Sequence, residues 1–385
     1  MSAPLPSYDF DTIHPRRGTG SIKWDRRPEL DPFWVADMDF PSPPAVIEAL
    51  RKRVDHGIFG YAQPQPSLEE SIVAYYSKRH GVSIKEDQLV HLGGLVPALS
   101  LAGRAFGEPG QGYITCTPVY PPFLNVHKDH GLTLKTIPHV RDNGRWTFDW
   151  DQLEKSIGPE DRIFLLTHPQ NPLGRVFSNQ EILRLGEICA RHKLVLVSDE
   201  VHCDLVLDEK RTPFFSALHL PKELQDRLVV LNSPSKVYNV AGLAYAYAVI
   251  PNDSLRRKFT QAKGHMLPEL NPLSYHAAEA AYRHGEDWRQ ALLAYLRGNR
   301  DLISSFAAEH LPGVVIPEIE ATYLAWMDFR PTRVANPAET AEKEAGLFIS
   351  DGSFFGAPGH TRVNFGCPRS SLQDALERLA GILGS

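Results

Sequence analysis

Short apolar runs alternate with longer amphipathic segments from residue 113 onward, and this alternation restricts the fold more than any other feature. Two of the runs, RIFLLT and LVLVSD, have the length of buried strands. Between them lies SNQEILRLGEICARHK, which has a helical apolar stripe and a capping box of Ser178 and Glu181. Strands separated by helices predict an α/β fold, in which a mostly parallel sheet carries helices on both faces.

Residue composition and the pattern of predicted strands and helices divide the chain into three parts. Residues 1–44 are rich in proline and aromatic residues and predict an arm that packs on the small domain or on a partner subunit. Residues 45–290 carry the strand–helix alternation and form the predicted large domain. Residues 291–385 contain shorter strands and amphipathic helices, which predict a smaller α+β domain at the C-terminal end.

Local patterns predict further elements. A helix is expected from Pro44, where proline suits the first turn. A capping box of Ser67 and Glu70 predicts another helix, LFISDG predicts one strand, and a final helix is expected to begin near Ser371.

Composition and charge exclude several classes of function. The 385 residues include 41 basic and 46 acidic ones, which gives a net charge of −5. No basic stripe is present, so nucleic acid is not the expected partner. The four cysteines have no CxxC spacing, and neither a secretory signal nor a run of the roughly 18 apolar residues that span a membrane is visible. We expect a reduced, cytoplasmic protein that acts on a small molecule away from membranes.

Four side chains follow predicted strands, at the edge where open α/β sheets bind ligands: Tyr120, Asn171, Asp199 and Lys236. A partly desolvated lysine loses part of its proton affinity and becomes a nucleophile or a base. A carboxylate after a buried strand needs a partner, and a protonated heterocyclic nitrogen would suit Asp199. Asn171 offers a donor to a ligand oxygen, and Tyr120 offers a face for stacking.

Donors for anions complete this set. Ser233, Ser235 and the Gly93-Gly94 turn offer hydroxyl and backbone N–H groups to a phosphate, and Arg362 suits bidentate binding of a carboxylate. All these groups together match what pyridoxal phosphate needs: an imine-forming lysine, a pyridinium partner, a phosphate cradle and a stacking face. Each residue also has a purely structural interpretation, but their common order along one sheet favours the cofactor site.

Seven segments resemble one branch of a known family: SIKWD, WVADMDFPSPPAVIEAL, FGY, NPLGRV, SDEVHCDL, SPSKVYNVAGL and NFGCPRS. Together with the spacing of Asn171, Asp199, Lys236 and Arg362, they resemble the fold-type I pyridoxal phosphate enzymes of the aminotransferase class I/II group. The narrower resemblance is to the MalY/PatB branch, the cystathionine β-lyase or C–S lyase type, and it runs almost end to end.

The resemblance implies a role for the residues around the cofactor ring. Lys236 would be the Schiff-base lysine, Asp199 would face the pyridine nitrogen and Tyr120 would stack on the ring, so that these three are catalytic. Asn171 would face the ring 3-oxygen and the substrate, and His202 would also contact the cofactor.

The same resemblance implies the phosphate and substrate contacts. The phosphate would be held by Gly94, the backbone of Leu95 and Val96, Ser233 and Ser235. Arg362 would bind the substrate α-carboxylate, with Trp34 and Asp37 beside the substrate. Tyr61 would reach the cofactor phosphate of the other subunit, which implies a homodimer with shared active sites.

Three departures from the family pattern are visible. The turn reads Gly93-Gly94-Leu95-Val96 instead of Pro-Gly-Val-Val, and Val237-Tyr238 replaces Thr-Phe after the lysine. Ala244 stands where many fold-type I aminotransferases carry an arginine near the phosphate, which removes one phosphate contact.

The implied activity is a C–S β-lyase that cleaves cystathionine- or cysteine-type β-thio amino acids to thiol, pyruvate and ammonia. An aminotransferase on the same residues stays open, and so does a cofactor-bearing regulatory or binding protein. Residues 233–236 also spell S-x-x-K, but the S-D-N and K-T-G partners of a serine acyl-enzyme are missing. No HExxH or paired-cysteine spacing predicts a metal site. The leaving group is not determined by the sequence.

Overall fold

The computed structural model describes residues 8–264 and 269–384. The strands are β1 (Asp31–Pro32), β2 (Leu89–Leu92), β3 (Gly112–Thr117), β4 (Thr133–Asp142), β5 (Arg145–Phe148), β6 (Asp161–Thr167), β7 (Val195–Asp199), β8 (Leu228–Asn232), β9 (Ala246–Val249), β10 (Leu324–Asp328), β11 (Leu347–Phe348), β12 (Ser350–Asp351) and β13 (His360–Asn364). The helices are α1 (Ile22–Asp25), α2 (Pro44–Asp55), α3 (Pro66–Tyr75), α4 (Leu95–Phe106), α5 (Trp150–Ser156), α6 (Asn179–Arg191), α7 (Lys222–Gln225), α8 (Asp253–Lys263), α9 (Pro272–His284), α10 (Glu286–His310), α11 (Pro337–Ala345) and α12 (Arg369–Gly384).

The main sheet of the described residues has eight strands in the order β2-β9-β8-β7-β6-β3-β4-β5. The five central strands, β8 to β4 in this order, run parallel, whereas the β2–β9, β9–β8 and β4–β5 pairs are antiparallel. Strands β7 and β8 are buried along their whole length, because helices cover both faces of a parallel sheet. The predicted α/β fold with a mostly parallel sheet is confirmed.

Alternate residues of the central strands face two different hydrophobic cores. Leu196 of β7 packs with side chains of α3, α6 and α9, whereas its neighbour Val197 packs with side chains of α4 and α8. This alternation is the period of two that a strand imposes on its side chains. The sheet is therefore covered on both sides, and the carboxyl edge of its strands is left to form a site.

Capping boxes were predicted at the N-termini of two helices, α6 and α3. The box at α6 is confirmed, because the Ser178 hydroxyl accepts the Glu181 N–H at 3.3 Å and the Glu181 carboxylate accepts the Ser178 N–H at 2.7 Å. The box of Ser67 and Glu70 is wrong: α3 begins at Pro66, whose fixed φ and missing N–H suit the first helical position.

Two other predicted elements shift. LFISDG is not one strand, because β11 pairs in parallel with β1 and β12 pairs with β13 in another sheet. The last helix begins at Arg369, two residues before the expected start. The helix expected from Pro44 begins there, as α2.

The second half of the chain adds an antiparallel sheet of order β10-β13-β12. Three aromatic residues from the N-terminal region, Phe10, Phe33 and Phe40, lie in one hydrophobic core with side chains of α10 and β10. The domain limits at residues 44 and 290 stay a prediction, and residues 1–7 of the predicted arm lie outside the described part. Within that part, no helix combines the length and apolar character needed to cross a membrane.

Candidate active site

Four parallel strands bring the predicted site residues to one edge of the main sheet. Asp199 ends β7, whereas Lys236, Asn171 and Tyr120 follow β8, β6 and β3. All four border one cavity of about 750 Å³, as expected for the carboxyl edge of such a sheet. The other predicted residues on its wall are Trp34, Gly94, Leu95, Val96, His202, Ser233, Ser235 and Arg362.

The Lys236 amine lies inside this cavity and reaches the arm. Its Nζ donates to the carbonyl oxygen of Ala36 at 2.9 Å. Burial lowers the pKa of Lys236 to about 8, and the nearby Arg362 acts in the same direction, against the carboxylates of Asp37 and Asp199. A lowered pKa makes the free amine available near neutral pH, which both a nucleophile and a base require.

The Asp199 carboxylate is buried at the end of β7. Its Oδ1 accepts the backbone N–H of Val201 at 3.1 Å, and no basic side chain of the described residues forms an ion pair with it. Burial raises the pKa of Asp199 to about 6, although this N–H and Lys236 oppose the shift. The carboxylate therefore keeps acceptor capacity for a charged donor in the cavity.

Arg362 is a buried guanidinium with capacity left for an anion. Its Nη1 donates to Asn171 Oδ1 at 3.0 Å and its Nη2 to the carbonyl oxygen of Trp34 at 2.7 Å. The guanidinium carbon lies 4.7 Å from the ring centroid of Phe355. Its Nε is buried without a hydrogen-bond partner in the described residues. Burial lowers the pKa of Arg362 to about 10, so the group stays cationic near neutral pH.

Donors for a phosphate lie where helix α4 begins. Gly94 precedes the helix with φ +127°, a backbone conformation that favours glycine, and the N–H groups of Leu95 and Val96 open the helix. Ser235 also borders the cavity. The Ser233 hydroxyl, however, donates to the carbonyl oxygen of Tyr245 at 2.5 Å, so its proton is directed away from a phosphate.

Tyr120 and His202 are neutral walls of the cavity. Burial raises the pKa of Tyr120, and burial together with Lys236 and Arg362 lowers the pKa of His202 well below its ordinary value. The Nδ1 of His202 is buried without a hydrogen-bond partner in the described residues. Neutral aromatic groups suit contact with a flat ligand ring.

A family profile described as aminotransferase class I and II matches residues 33–379. The chain belongs to the aminotransferase class I and II family. Cystathionine beta-lyase PatB of Bacillus subtilis (strain 168) is 36% identical to this chain. The alignment covers 97% of this chain and 100% of the relative. This match confirms the resemblance to the MalY/PatB branch.

Two solved structures share the fold of this chain over nearly its whole length. OvoB is 37% identical with a TM-score of 0.94, and the match covers 98% of this chain and 100% of that chain. Cystalysin from Treponema denticola, which contains a pyridoxal 5′-phosphate cofactor, is 31% identical with a TM-score of 0.94 and coverages of 98% and 99%.

Two of the predicted site residues, Asp37 and Tyr61, do not border the cavity. The Asp37 carboxylate forms an ion pair with Arg16 at 2.8 Å and is close enough to act on the pKa of Lys236, but Asp37 does not line the cavity. Tyr61 is fully exposed, at 103% of its reference accessible surface, and lies outside the cavity. Its predicted contact needs a second subunit and stays a prediction.

Three residues of the site, Ala36, Arg26 and Phe355, were not predicted from the sequence. Ala36 binds Lys236 through a backbone carbonyl, for which the side chain carries no pattern. Arg26 and Phe355 border the cavity, and the sequence offered only weak indications of this. Arg26 directly follows the SIKWD segment, and Phe355 is the second residue of a Phe-Phe pair shortly before TRVNFG.

One group of possible metal ligands lies outside the cavity. The ligand atoms of His80, Cys203 and Asp204 lie within 4.8 Å of one another. However, the Tyr75 hydroxyl donates to Asp204 at 2.7 Å, and Arg79 pairs with the same carboxylate at 3.1 Å. These protein partners already engage the carboxylate, and we assign no metal to the group.

Proposed function

We propose that the protein is a pyridoxal 5′-phosphate-dependent C–S β-lyase, which converts β-thio amino acids to thiol, pyruvate and ammonia. One observation carries the proposal: the amine of Lys236, the carboxylate of Asp199 and the guanidinium of Arg362 border the same cavity. The similarity to a protein named cystathionine beta-lyase along nearly the whole chain supports the choice of reaction.

The residues present fit this cofactor. Asp199 has acceptor capacity for a ring N–H, the amine of Lys236 is within the same cavity, and the start of α4 offers N–H groups to a phosphate. When bound, pyridoxal phosphate supplies an aldehyde that reacts with amines and a ring that withdraws electrons from the substrate Cα. The lowered pKa of Lys236 suits reaction with that aldehyde.

The side chains then have separate tasks. Arg362, through its free Nε, binds and orients the substrate carboxylate. Lys236 Nζ accepts the proton from the substrate Cα, and the carbonyl of Ala36 lies 2.9 Å away to hold the resulting ammonium. Asp199 would keep the proton on the ring nitrogen when the cofactor is bound. Loss of the thiolate from Cβ and addition of water then yield pyruvate and ammonia.

The alternative activity, amino transfer, would use the same side chains. The two reactions differ in what they require: amino transfer needs a keto acid as acceptor, whereas β-elimination releases pyruvate from the substrate alone. The comparison with PatB favours elimination.

Assembly and location are further parts of the proposal. We infer a homodimer, since Ile58, Phe59 and Tyr61 expose 66%, 55% and 103% of their reference surfaces on one short segment. The four cysteines are all free and buried, which agrees with a reducing, cytoplasmic location. Sedimentation of the holoenzyme tests the dimer, and a monomer at micromolar concentration would contradict it.

A substrate panel tests the reaction. The holoenzyme is incubated with cystathionine, cysteine and several S-substituted cysteines, without a keto acid, and pyruvate and free thiol are measured. Equal amounts of both products are expected from at least one substrate. Product formation only after a keto acid is added would favour amino transfer, and no product with either arrangement would overturn the proposal.

A further inference from the structure

We propose that Arg26 is a second anion-binding group of the cavity and selects β-thio amino acids whose leaving thiol carries a carboxylate. Arg26 borders the same cavity as Lys236 and Arg362, and its guanidinium carbon lies 5.1 Å from the ring centroid of Trp34. The inference rests on the proposed lyase function and narrows its class of substrate.

Trp34 connects the two guanidinium groups. Its carbonyl oxygen accepts Arg362 Nη2 at 2.7 Å and the Ser350 hydroxyl at 2.8 Å, so its backbone lies at the α-carboxylate site. Its indole Nε1 donates to the carbonyl of Lys23 at 3.1 Å, which fixes the ring beneath Arg26. One fixed residue therefore contacts both cations, and both border the cavity in which a substrate held at Arg362 would lie.

The charges around this part of the wall leave Arg26 available. Arg27 pairs with Glu342 at 3.3 Å, and Glu339 pairs with the lysine one helical turn further on. Asp351 accepts the backbone N–H of Ser353 at 2.8 Å. In contrast, no carboxylate of the described residues forms an ion pair with Arg26. Arg26 borders the cavity together with these three acidic residues, and its guanidinium lies over the indole ring of Trp34.

Aromatic rings contact both cations, Trp34 at Arg26 and Phe355 at Arg362. Phe348 stacks on Trp34 with 5.0 Å between ring centroids, and Phe354 and Phe355 also border the cavity. An apolar wall favours an apolar linker, because burial of CH₂ groups is favourable. The structure therefore fits a leaving thiol that has a short apolar stem and a terminal carboxylate.

Two isosteric substrates separate charge from shape. S-(2-carboxyethyl)-L-cysteine and its primary amide, S-(2-carbamoylethyl)-L-cysteine, are given to the holoenzyme, and kcat/KM for pyruvate release is measured for each. We expect the acid to be preferred on the order of fivefold, the effect of one charge pair near solvent. In Arg26→Gln this ratio falls to about one. Because both substrates are measured on the same preparation, a partly folded variant does not change the ratio.

Charge reversal adds a second readout. Arg26→Glu is expected to prefer S-(2-aminoethyl)-L-cysteine over the acid, the opposite order to the unmodified enzyme. The matched control is Arg141→Gln, since Arg141 is also an exposed arginine over a tryptophan, 4.8 Å from the ring of Trp146, but lies outside the cavity. The control should keep the acid preference.

The outcomes distinguish this inference from the proposed function. Pyruvate release with equal kcat/KM for acid and amide, or an acid preference that survives in Arg26→Gln, overturns the role of Arg26 and leaves the lyase intact. Absence of pyruvate from these substrates and from the whole panel of β-thio amino acids overturns the proposed function itself.

Discussion

The amine of Lys236 donates to the carbonyl oxygen of Ala36, with 2.9 Å between Nζ and the oxygen. The Tyr323 hydroxyl donates to the same oxygen at 3.1 Å. A carbonyl acceptor favours the ammonium over the free amine, whereas burial and Arg362 lower the pKa of Lys236 to about 8. One backbone oxygen of the N-terminal region therefore takes part in deciding where the proton of Lys236 resides.

Replacement of Tyr323 by phenylalanine tests this shared acceptor. Without the hydroxyl, the Ala36 oxygen interacts more strongly with the Lys236 ammonium, so the pKa of Lys236 should rise. Incorporation of pyridoxal phosphate into the apoprotein requires the free amine of Lys236. The midpoint of the plot of incorporation rate against pH should therefore move to higher pH. The variant should also lose about 1 kcal/mol of stability with the buried hydrogen bond. An unchanged midpoint in a folded variant would contradict the idea.

Lys236→Ala removes the proposed base and the group that reacts with the cofactor. Pyruvate release should fall on the order of 10³-fold or more, because a positioned general base alone contributes roughly 10²–10⁴-fold. The exposed Lys222 provides the control variant, Lys222→Ala, which should keep full turnover. Substantial turnover by Lys236→Ala, at matched cofactor occupancy, would remove Lys236 from the mechanism.

Asp199→Asn should change how the stability of the apoprotein depends on pH. Burial raises the pKa of Asp199 from 3.8 to about 6 in the folded protein, so the folded form binds more protons than the unfolded form between these values. Stability contributed by this group is therefore present at low pH and lost as pH rises from about 4 to 6, by roughly 3 kcal/mol. The variant should lack that part of the slope.

Urea unfolding of the apoprotein at several pH values between 4 and 7 measures this difference. Exposed Asp208→Asn serves as the control and should follow the unmodified protein. If Asp199→Asn shows the same slope as the control, the carboxylate is already ionised and solvated in the folded apoprotein.

Phe355→Leu tests how Arg362 is positioned. The guanidinium carbon lies 4.7 Å from the ring centroid, and a buried cation–π contact contributes about 0.5–2 kcal/mol. Leucine keeps most of the apolar volume but removes the π face, so KM should rise several-fold while kcat changes little. A fall in kcat at constant KM would assign Phe355 a different role.

Lys23 forms a buried ion pair that fixes the N-terminal region. Its Nζ lies 2.6 Å from Asp39 Oδ2 and donates to the carbonyl of Asp37 at 2.9 Å, with only 1% of the side chain exposed. Lys23→Met should lower the free energy of unfolding by about 3 kcal/mol, because it leaves a buried carboxylate short of one partner. Arg16→Gln, at a more exposed partner of Asp39, should cost less. Equal losses would show that burial of Lys23 is not decisive.

The elements that carry the site were predictable because their signals are local. Asp199 ends one fully buried strand and Lys236 follows another, and the α6 capping box lies within four residues of sequence. The predicted capping box places the N-cap of α3 at Ser67, whereas the N-cap is Gln65, because Pro66 suits the first helical position. The prediction of LFISDG as one strand is wrong because its two pieces pair with different strands: β11 with the distant β1, and β12 with the nearby β13.

The remaining contacts depend on the folded chain. Ala36 was not predicted, and Trp34 was predicted without its carbonyl contact, because every residue has a carbonyl oxygen and no residue type reveals which one is used. Asp37 was expected beside the substrate, but Arg16, 21 residues earlier, takes its carboxylate. The Ser233 hydroxyl has a carbonyl partner on Tyr245, 12 residues later, which the sequence pattern does not show. In each case competition between partners, rather than residue type, decides the contact.

The carbonyls of Trp34 and Ala36 bind Arg362, Tyr323 and Lys236, so residues near both ends of the chain meet at one place. During synthesis the early segment leaves the ribosome long before residue 362 exists. A nascent chain can therefore form the main sheet while the cavity still lacks the part of its wall that lies between Ala338 and Arg362. Completion of the cavity comes late, and catalytic competence should be gained only after Arg362 has left the ribosome.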